Sequence, residues 1–382
     1  MIDFIKLKIN RPNIIGIRNN NLLAWNQTTN EGTGEVKKLI AEYCEMQFTI
    51  TANKYLEISG SLHKYWNATQ GNLLPDGRSH NYNDFNYPDL SQAVQSLCLS
   101  FELDPEQCKF ENIEYGVNIS CPVEVNKVVE AAINHQGKHF SYERNSKKSI
   151  TKCTHQRYVI KIYNKGLHFE QPEKILRFEL RVLKMEQLKG TGLNTLAGIT
   201  KPEILTALGK ELRENFAEIL FYGLDINLNN LNTRDRLVLS EGRNALYWYD
   251  LKKGNRNTYN KTRQRFITLV QKHSSFNISE IIGKRIIEKW IELLGAKRKT
   301  VHNLTGGQTL PNLTGGGTQS NLYSMGVNCS LQENEVTESL EQKKVISVRE
   351  WKPDYRVPVY DSKTGSLIEF LDLTNGKRIK TA

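Results

Sequence analysis

The chain has 382 residues, enough for two or three domains and for a sizeable buried core. With 38% hydrophobic and 24% charged residues it has the composition of a globular protein, and no window approaches the roughly 18 apolar residues of a membrane span. Lys and Arg outnumber Asp and Glu by 52 to 41, a formal net charge of +11 that favours a polyanionic partner such as nucleic acid.

The six cysteines are scattered, without a CxxC pair or any metal-ligand spacing. This pattern argues against a disulfide framework and a zinc site, and it is typical of a reducing compartment. The N-terminal run MIDFIKLKI has no small-residue cleavage site after an apolar core, so we expect a strand there rather than a signal peptide. We therefore expect a cytoplasmic protein.

The first hundred residues predict two strand regions, two loops and a helix. Imperfect alternation of apolar residues predicts strands at 2–9 and 48–60. Gly60 and Ser61 are expected to end the second strand, and a polar loop rich in Gly and Asn follows from 67 to 86. Apolar residues at helical spacing predict a helix over 89–103. The loops carry His63, His80 and Asn81.

A strand predicted at 112–120 precedes the most basic part of the chain. Glu114 and Asn118 lie four residues apart, so both project from one face of this strand. A helix is predicted over 123–135. The stretch 138–165 is basic and interleaved with aromatic residues, a pattern that fits phosphate binding with bases stacked on rings, although a solvated basic loop is the alternative. The candidate DNA-binding residues in this stretch are Lys147, Lys148, Lys152, Arg157 and Lys161. Outside it, His80, Asn81 and Arg177 are further candidates for DNA binding.

Two consecutive strands are predicted to form the part of the sheet that carries the chemistry. In the first, Lys161 and Tyr163 alternate with apolar residues, and in the second Arg177, Glu179 and Arg181 do so. The seven residues from Gly166 to Pro172 suffice for a loop that lets the two strands pair antiparallel. A phenol, a lysine and a carboxylate would then share one surface.

The predicted secondary structure changes twice in the remainder of the chain. Apolar residues at helical spacing over 202–222, 234–251, 261–273 and 279–294 predict a mostly helical region at 191–300. A repeated NLTGG segment predicts a flexible linker over 301–344, and 345–382 predicts a small β-rich tail. The expected fold class is α+β, with residues 1–190 forming a central antiparallel sheet and flanking helices.

Tyr163 is a candidate nucleophile. A phenolate can attack a phosphodiester and leave a covalent phosphotyrosine if its proton is removed or its charge is offset by a nearby cation. Lys161 and Lys165, two residues to either side, project from the same strand face if the strand persists that far. Because the chain has 16 tyrosines, a packing or surface role is the alternative.

Glu114 and Glu179 are candidate metal ligands, with Asn118 as a neutral oxygen ligand. Carboxylates on a sheet face among basic residues suit Mg²⁺ or Mn²⁺, hard ions that leave positions open for phosphate oxygens. Cross-strand ion pairs with Arg177 or Arg181 are an equally open alternative. The sequence lacks a P-loop, a GxSxG elbow and a pair of adjacent histidines, so the histidine metal site of the best-known rolling-circle nucleases is absent.

Several short motifs, in this order, resemble those of replication initiators of the filamentous-phage gene II type. IYNK and LRFELR are the specific elements, and the resemblance covers roughly residues 1 to 295. The other motifs are MIDFIKL, SGSLHKY, SHNYNDF, NIEYGVNIS and KMEQLKGTGL, with RNALYWYDLKKG and KTRQRFITLV as weaker matches.

This resemblance implies a site-specific nicking and joining enzyme for rolling-circle replication of a phage or plasmid in the cytoplasm of a bacterial host cell. In that family the tyrosine of a YxK element attacks one strand at the origin, keeps the 5′ phosphate and frees a 3′-OH. Tyr163 and Lys165 match that element, Glu114 (Glu for Asp) and Glu179 match the acidic residues, and His80-Asn81 matches a His-Asn pair. The implied partners are double- and single-stranded origin DNA, with a host helicase and polymerase.

A hypothesis from a different class is a non-catalytic origin- or RNA-binding protein, in which the basic stretch binds nucleic acid and the carboxylates are structural. A metal-free tyrosine recombinase is disfavoured, because it would need an arginine–histidine constellation on a helical domain, whereas Tyr163 is predicted on a strand.

Overall fold

The computed structural model describes residues 1–10, 12–52 and 55–295 and the backbone of three short strands between 356 and 380. The predicted linker at 301–344 lies outside the described residues. The strands are β1 (Ile2–Ile9), β2 (Asn26–Thr29), β3 (Val36–Tyr43), β4 (Met46–Thr51), β5 (Leu56–Ser61), β6 (Cys108–Ser120), β7 (Ala132–His135), β8 (Lys138–His139), β9 (Ser141–Asn145), β10 (Lys148–Thr154), β11 (Tyr158–Asn164), β12 (Ile175–Val182), β13 (Ile219–Phe221), β14 (Arg356–Tyr360), β15 (Leu367–Asp372) and β16 (Arg378–Lys380).

The helices concentrate in the second half of the described chain. The α-helices are α1 (Ile14–Arg18), α2 (Leu62–Thr69), α3 (Tyr87–Ser100), α4 (Val125–Glu130), α5 (Lys165–His168), α6 (Pro202–Ala217), α7 (Thr233–Gly242), α8 (Ala245–Gly254), α9 (Arg256–His273) and α10 (Ile278–Leu293). Short 3₁₀ helices occupy Met185–Thr191, Leu196–Thr200 and Leu228–Asn230. Among the described residues, no helix has the length and apolarity that a membrane crossing requires.

A ten-stranded sheet organises the fold, in the order β2-β3-β4-β5-β1-β6-β12-β11-β10-β9. Every neighbouring pair in this sheet is antiparallel. The predicted α+β class, with a central antiparallel sheet and flanking helices, is confirmed. The predicted pairing of the strands that carry Tyr163 and Glu179 is also present, since β11 and β12 are neighbours.

The two faces of the central strands differ in chemistry. On β12, Leu176, Phe178 and Leu180 are buried on one face, and the ring of Phe178 contacts Phe216 of α6 at a centroid distance of 5.0 Å. Since side chains alternate along a strand, Arg177 and Glu179 project from the opposite face. Helix α6 therefore packs on the apolar face, whereas Lys165 of α5 and the loop that carries Asn81 contact the polar face.

The register places the polar residues of three strands side by side. Arg177 lies opposite Tyr163 of β11 and Asn118 of β6, while Glu179 lies opposite Lys161 and Gly116. A Cβ atom at Gly116 would lie 2.2 Å from the carbonyl oxygen of Phe178. Glycine therefore allows β6 and β12 to approach closely beside Glu179.

Residues 191–295 contribute to two cores. Helices α6 and α10 share the main core with the sheet, as Trp290 shows by its contact with Tyr115 at a ring-centroid distance of 6.2 Å. Helices α7, α8 and α9 surround a smaller core in which Trp248 and Phe266 are fully buried. The backbone of β14, β15 and β16 forms an antiparallel three-stranded sheet. The predicted domain boundaries stay predictions.

Several element predictions differ from the structure. Residues 48–60 form two strands, β4 and β5, and the loop predicted after Ser61 is the helix α2, capped by the Ser61 hydroxyl, which accepts a hydrogen bond from the Lys64 N–H. The helix predicted over 123–135 stops at Glu130, because 132–135 pairs as β7 with β13, more than 80 residues later. Likewise 234–251 divides into α7 and α8. At β7, pairing with a distant strand thus overrides the local helical pattern.

Candidate active site

At its centre, the polar face of the sheet carries a group of side chains that are joined by hydrogen bonds. We call it the central polar cluster. It comes from β1, β6, β11 and β12, the loop before α3 and the start of α5. Its members are Asp3, Asn81, Glu114, Asn118, Lys161, Tyr163, Lys165, Arg177 and Glu179.

Tyr163 lies near the end of β11 and is partly exposed. Its hydroxyl donates a hydrogen bond to Glu179 Oε2 at 3.2 Å and accepts one from Lys165 Nζ at 3.4 Å. Burial of the phenol, reinforced by the Glu179 carboxylate, raises the pKa of Tyr163 well above its ordinary value. At neutral pH the phenol is therefore protonated, and an attack would require a proton acceptor nearby.

Lys165 is a buried lysine at the first residue of α5, with 2% of its surface exposed. Its Nζ donates to Asn81 Oδ1 at 2.6 Å as well as to the Tyr163 hydroxyl. Burial, together with the nearby Arg177 guanidinium, lowers the pKa of Lys165 to about 7. Charged and neutral forms of this amine therefore coexist near neutral pH.

Arg177 joins three strands through one guanidinium group. Its Nε donates to Glu179 Oε2 at 2.5 Å, its Nη1 to Asn118 Oδ1 at 2.9 Å and its Nη2 to Asp3 Oδ2 at 3.0 Å. The side chain is 2% exposed, so this residue, predicted to bind DNA, points into the protein. Burial disfavours ionised Glu179, but the cations of Arg177 and Lys161 hold the pKa of its carboxyl well below the ordinary value.

Lys161 bridges the two predicted metal-binding carboxylates. Its Nζ donates to Glu114 Oε2 and to Glu179 Oε1, each at 2.9 Å, and Glu114 also forms an ion pair with Arg181 at 3.1 Å. Burial opposes the charge on Lys161, yet the two carboxylates raise its pKa above the ordinary value. The cross-strand ion pairs that were the alternative to a metal site are thus present.

The predicted ligands do not form a site for Mg²⁺ or Mn²⁺ in this arrangement. The facing oxygens of Glu114 and Glu179 accept hydrogen bonds from Lys161, and the Asn118 side-chain carbonyl oxygen accepts one from Arg177. In the described part of the chain, no group of three or more His, Cys, Asp or Glu residues is arranged to hold a metal ion. The divalent ion stays a prediction.

Asp3 is a member of the cluster that the sequence pattern did not single out. Its carboxylate accepts hydrogen bonds from the Ser61 hydroxyl at 2.6 Å, from Asn81 Nδ2 at 2.7 Å and from Arg177 Nη2 at 3.0 Å. Although burial opposes it, the charges of Arg177 and Lys165 hold the pKa of Asp3 well below its ordinary value. The available signal was an acidic residue inside the apolar first strand.

The predicted His-Asn pair has two separate environments. Asn81 belongs to the cluster and connects Asp3 to Lys165. His80 is 2% exposed, its Nε2 lies 3.3 Å from Asn72 Oδ1, and its ring stacks on Tyr82 at 4.3 Å. His80 therefore holds the loop that presents Asn81, and its ring is not offered to solvent.

The remaining predicted DNA-binding residues lie on or near the surface of β10 and its flanking turns. Lys147 and Arg157 are exposed, while Lys148 and Lys152 are partly exposed. Acidic neighbours offset part of this charge, because Lys147 pairs with Glu170 at 3.1 Å and Lys148 pairs with Glu143 at 2.8 Å. The predicted basic stretch is thus a mixed-charge edge of the sheet beside Tyr163.

Comparisons with known proteins give a distant structural likeness and no family. A scan against protein-family models finds no match, and neither does a search of the curated proteins. Among solved structures, the chain is similar to a rolling circle replication initiator protein from Geobacillus stearothermophilus, with a TM-score of 0.37 and 9% sequence identity, covering 69% of this chain and 96% of that chain. At this TM-score the likeness carries no functional argument, so a function has to be argued from the contacts themselves.

Replacing Arg177 by Met should destabilise the protein by about 3–5 kcal/mol, because the buried carboxylates of Asp3 and Glu179 would lose their shared cation. Urea unfolding followed by circular dichroism measures this change. The matched control is Arg181→Met, which removes a partly exposed arginine from the same strand and should cost about 1 kcal/mol or less. Equal losses in the two variants would contradict the organising role of Arg177.

Proposed function

We propose that the protein nicks and rejoins one strand of origin DNA with Tyr163 as the nucleophile, as a replication initiator of a phage or plasmid. The observation that carries the proposal is the position of the Tyr163 hydroxyl, within hydrogen-bond reach of both Glu179 and Lys165 on a side chain that is only partly buried. The motif resemblance supports the same tyrosine and the same lysine.

The chemistry of the proposal uses Lys165 twice. The neutral Lys165 amine takes the phenolic proton while the Tyr163 oxygen forms a bond to the scissile phosphorus. The bond from phosphorus to the 3′ oxygen breaks, and that oxygen takes a proton from water. Lys165, now an ammonium, lies beside the new phosphotyrosine and offsets its charge. Rejoining is the reverse attack by the 3′-OH.

Glu179 is poorly suited to be this proton acceptor, although it is the closer group. Its carboxyl has a pKa well below the ordinary value because Arg177 and Lys161 stabilise the ionised form. Its hydrogen bond instead orients the phenol. The pKa of Lys165, about 7, matches the task better.

DNA and the divalent ion complete the proposal. The exposed cations Lys147 and Arg157, with Lys148 and Lys152, would bind the phosphates that flank the nick. Mg²⁺ or Mn²⁺, with Glu114, Glu179 and Asn118 as candidate ligands, belongs to the proposal through the motif resemblance alone. No step is assigned to the ion, since its candidate ligands are bonded to Lys161 and Arg177.

Replacing Tyr163 by Phe should lower the yield of covalent protein–DNA adduct by about four orders of magnitude or more, since the attacking oxygen is removed. The substrate is a supercoiled plasmid carrying the origin of the protein's own replicon, and the adduct is detected on denaturing gels with mapping of the linked peptide. Tyr158→Phe, on the opposite face of the same strand, is the control and should retain activity. An adduct that persists in the Tyr163 variant would refute the assignment.

The nicking rate should rise as the pH increases through about 7 and then level off, because Lys165 can accept a proton only in its neutral form. The measurement is single-turnover nicking between about pH 6 and about pH 9. Lys165→Arg, whose guanidinium stays protonated, should lose most activity and show no such rise. A wild-type rate that falls over this range would argue that Lys165 acts only as a cation.

Chelation separates the proposed enzyme from the alternative of a non-catalytic origin- or RNA-binding protein. The observation that supports this alternative is the exposure of Lys147 and Arg157 at the mixed-charge edge of the sheet. For the enzyme, nicking should stop with EDTA and return with Mg²⁺. A nicking reaction that continues in EDTA would remove the divalent ion from the proposal but retain the enzyme. Binding without a nicked product under any metal would support the alternative.

A further inference from the structure

The pair of carboxylates on the polar face already has a cation between its members. Lys161 Nζ lies 2.9 Å from Glu114 Oε2 and 2.9 Å from Glu179 Oε1, and the lysine side chain is 15% exposed. The register positions this ammonium, because Lys161 lies on β11 directly opposite Glu179. The bridge is thus determined by the pairing of the strands.

The outer oxygens of the same carboxylates are also occupied. Glu114 Oε1 is paired with Arg181 Nε at 3.1 Å, and Glu179 Oε2 accepts hydrogen bonds from Arg177 and Tyr163. A Mg²⁺ ion binds carboxylate oxygens at about 2.0–2.1 Å, so an ion held by both carboxylates would need the space that the ammonium fills. Repulsion between like charges in a poorly solvated site prevents both from occupying it.

We infer that Lys161 is the resident cation of this site and competes with a divalent ion for Glu114 and Glu179. The inference rests on the proposed function for its relevance to catalysis. The contacts of Lys161 on which it is based involve neither DNA nor the Tyr163 hydroxyl. It assigns Lys161 a role in cation binding in place of the predicted role in DNA binding. The free protein then binds divalent ions weakly, and Lys161 sets that affinity.

The test is titration of the full-length, DNA-free protein with Mn²⁺, followed by the electron paramagnetic resonance signal of the free ion. Lys161→Gln should tighten Mn²⁺ binding at least about tenfold, because it removes the competing charge and leaves both carboxylates. Adding Glu179→Gln to this variant should abolish the gain. Excess Mg²⁺ should displace the bound Mn²⁺.

Lys152→Gln is the matched control, since Lys152 lies opposite Lys161 on β10 and its ion-pair distance to Glu143 is 3.9 Å. It loses the same charge and should leave Mn²⁺ binding unchanged. If Lys161→Gln does not fold, Lys161→Met is titrated instead. The Mn²⁺ affinity of the wild type is measured in the same way. The inference is overturned if neither Lys161 variant gains affinity over the wild type, or if the wild type binds Mn²⁺ tightly through Glu179. Because nicking is not measured, this result is independent of the adduct assay.

Discussion

The guanidinium of Arg177 is the group on which the arrangement of the site depends. It is buried and donates to Asp3 on β1, Asn118 on β6 and Glu179 on β12, so one side chain connects three strands on their polar face. Arginine suits this position because its planar fork offers several donors in fixed directions and stays charged when buried. Glu179, held in this way, orients the Tyr163 hydroxyl.

The cluster contains two lysines with opposite electrostatic behaviour, although both contact the same small region. Lys161 lies between two carboxylates, which raise its pKa against the effect of burial. Lys165 contacts a neutral amide and a phenol, so burial prevails and its pKa falls to about 7. One lysine is thus a permanent cation, and the other can exchange a proton near neutral pH. A fixed positive charge and a titratable amine thus lie on two side chains four residues apart.

Much of the sheet could be predicted from local pattern. Alternating apolar and polar residues indicated β11 and β12 and the surface that Tyr163, Lys161 and Glu179 share, because side-chain direction on a strand follows directly from residue parity. The prediction that the helix continues over 132–135 was wrong, since these residues pair with β13 as the strand β7. The prediction of a loop at His63 was wrong as well, since Ser61 caps a helix that begins directly after the strand.

The sequence by itself determined the antiparallel α+β fold class and the candidates Tyr163, Lys165, Glu114 and Glu179, because residue type and alternation are local properties. Only the tertiary structure decided which groups these residues contact. It added Asp3, placed Arg177 in the interior and positioned Lys161 between the carboxylates that were expected to hold a metal ion. These contacts depend on register and strand order between segments up to 174 residues apart, and no local pattern specifies them.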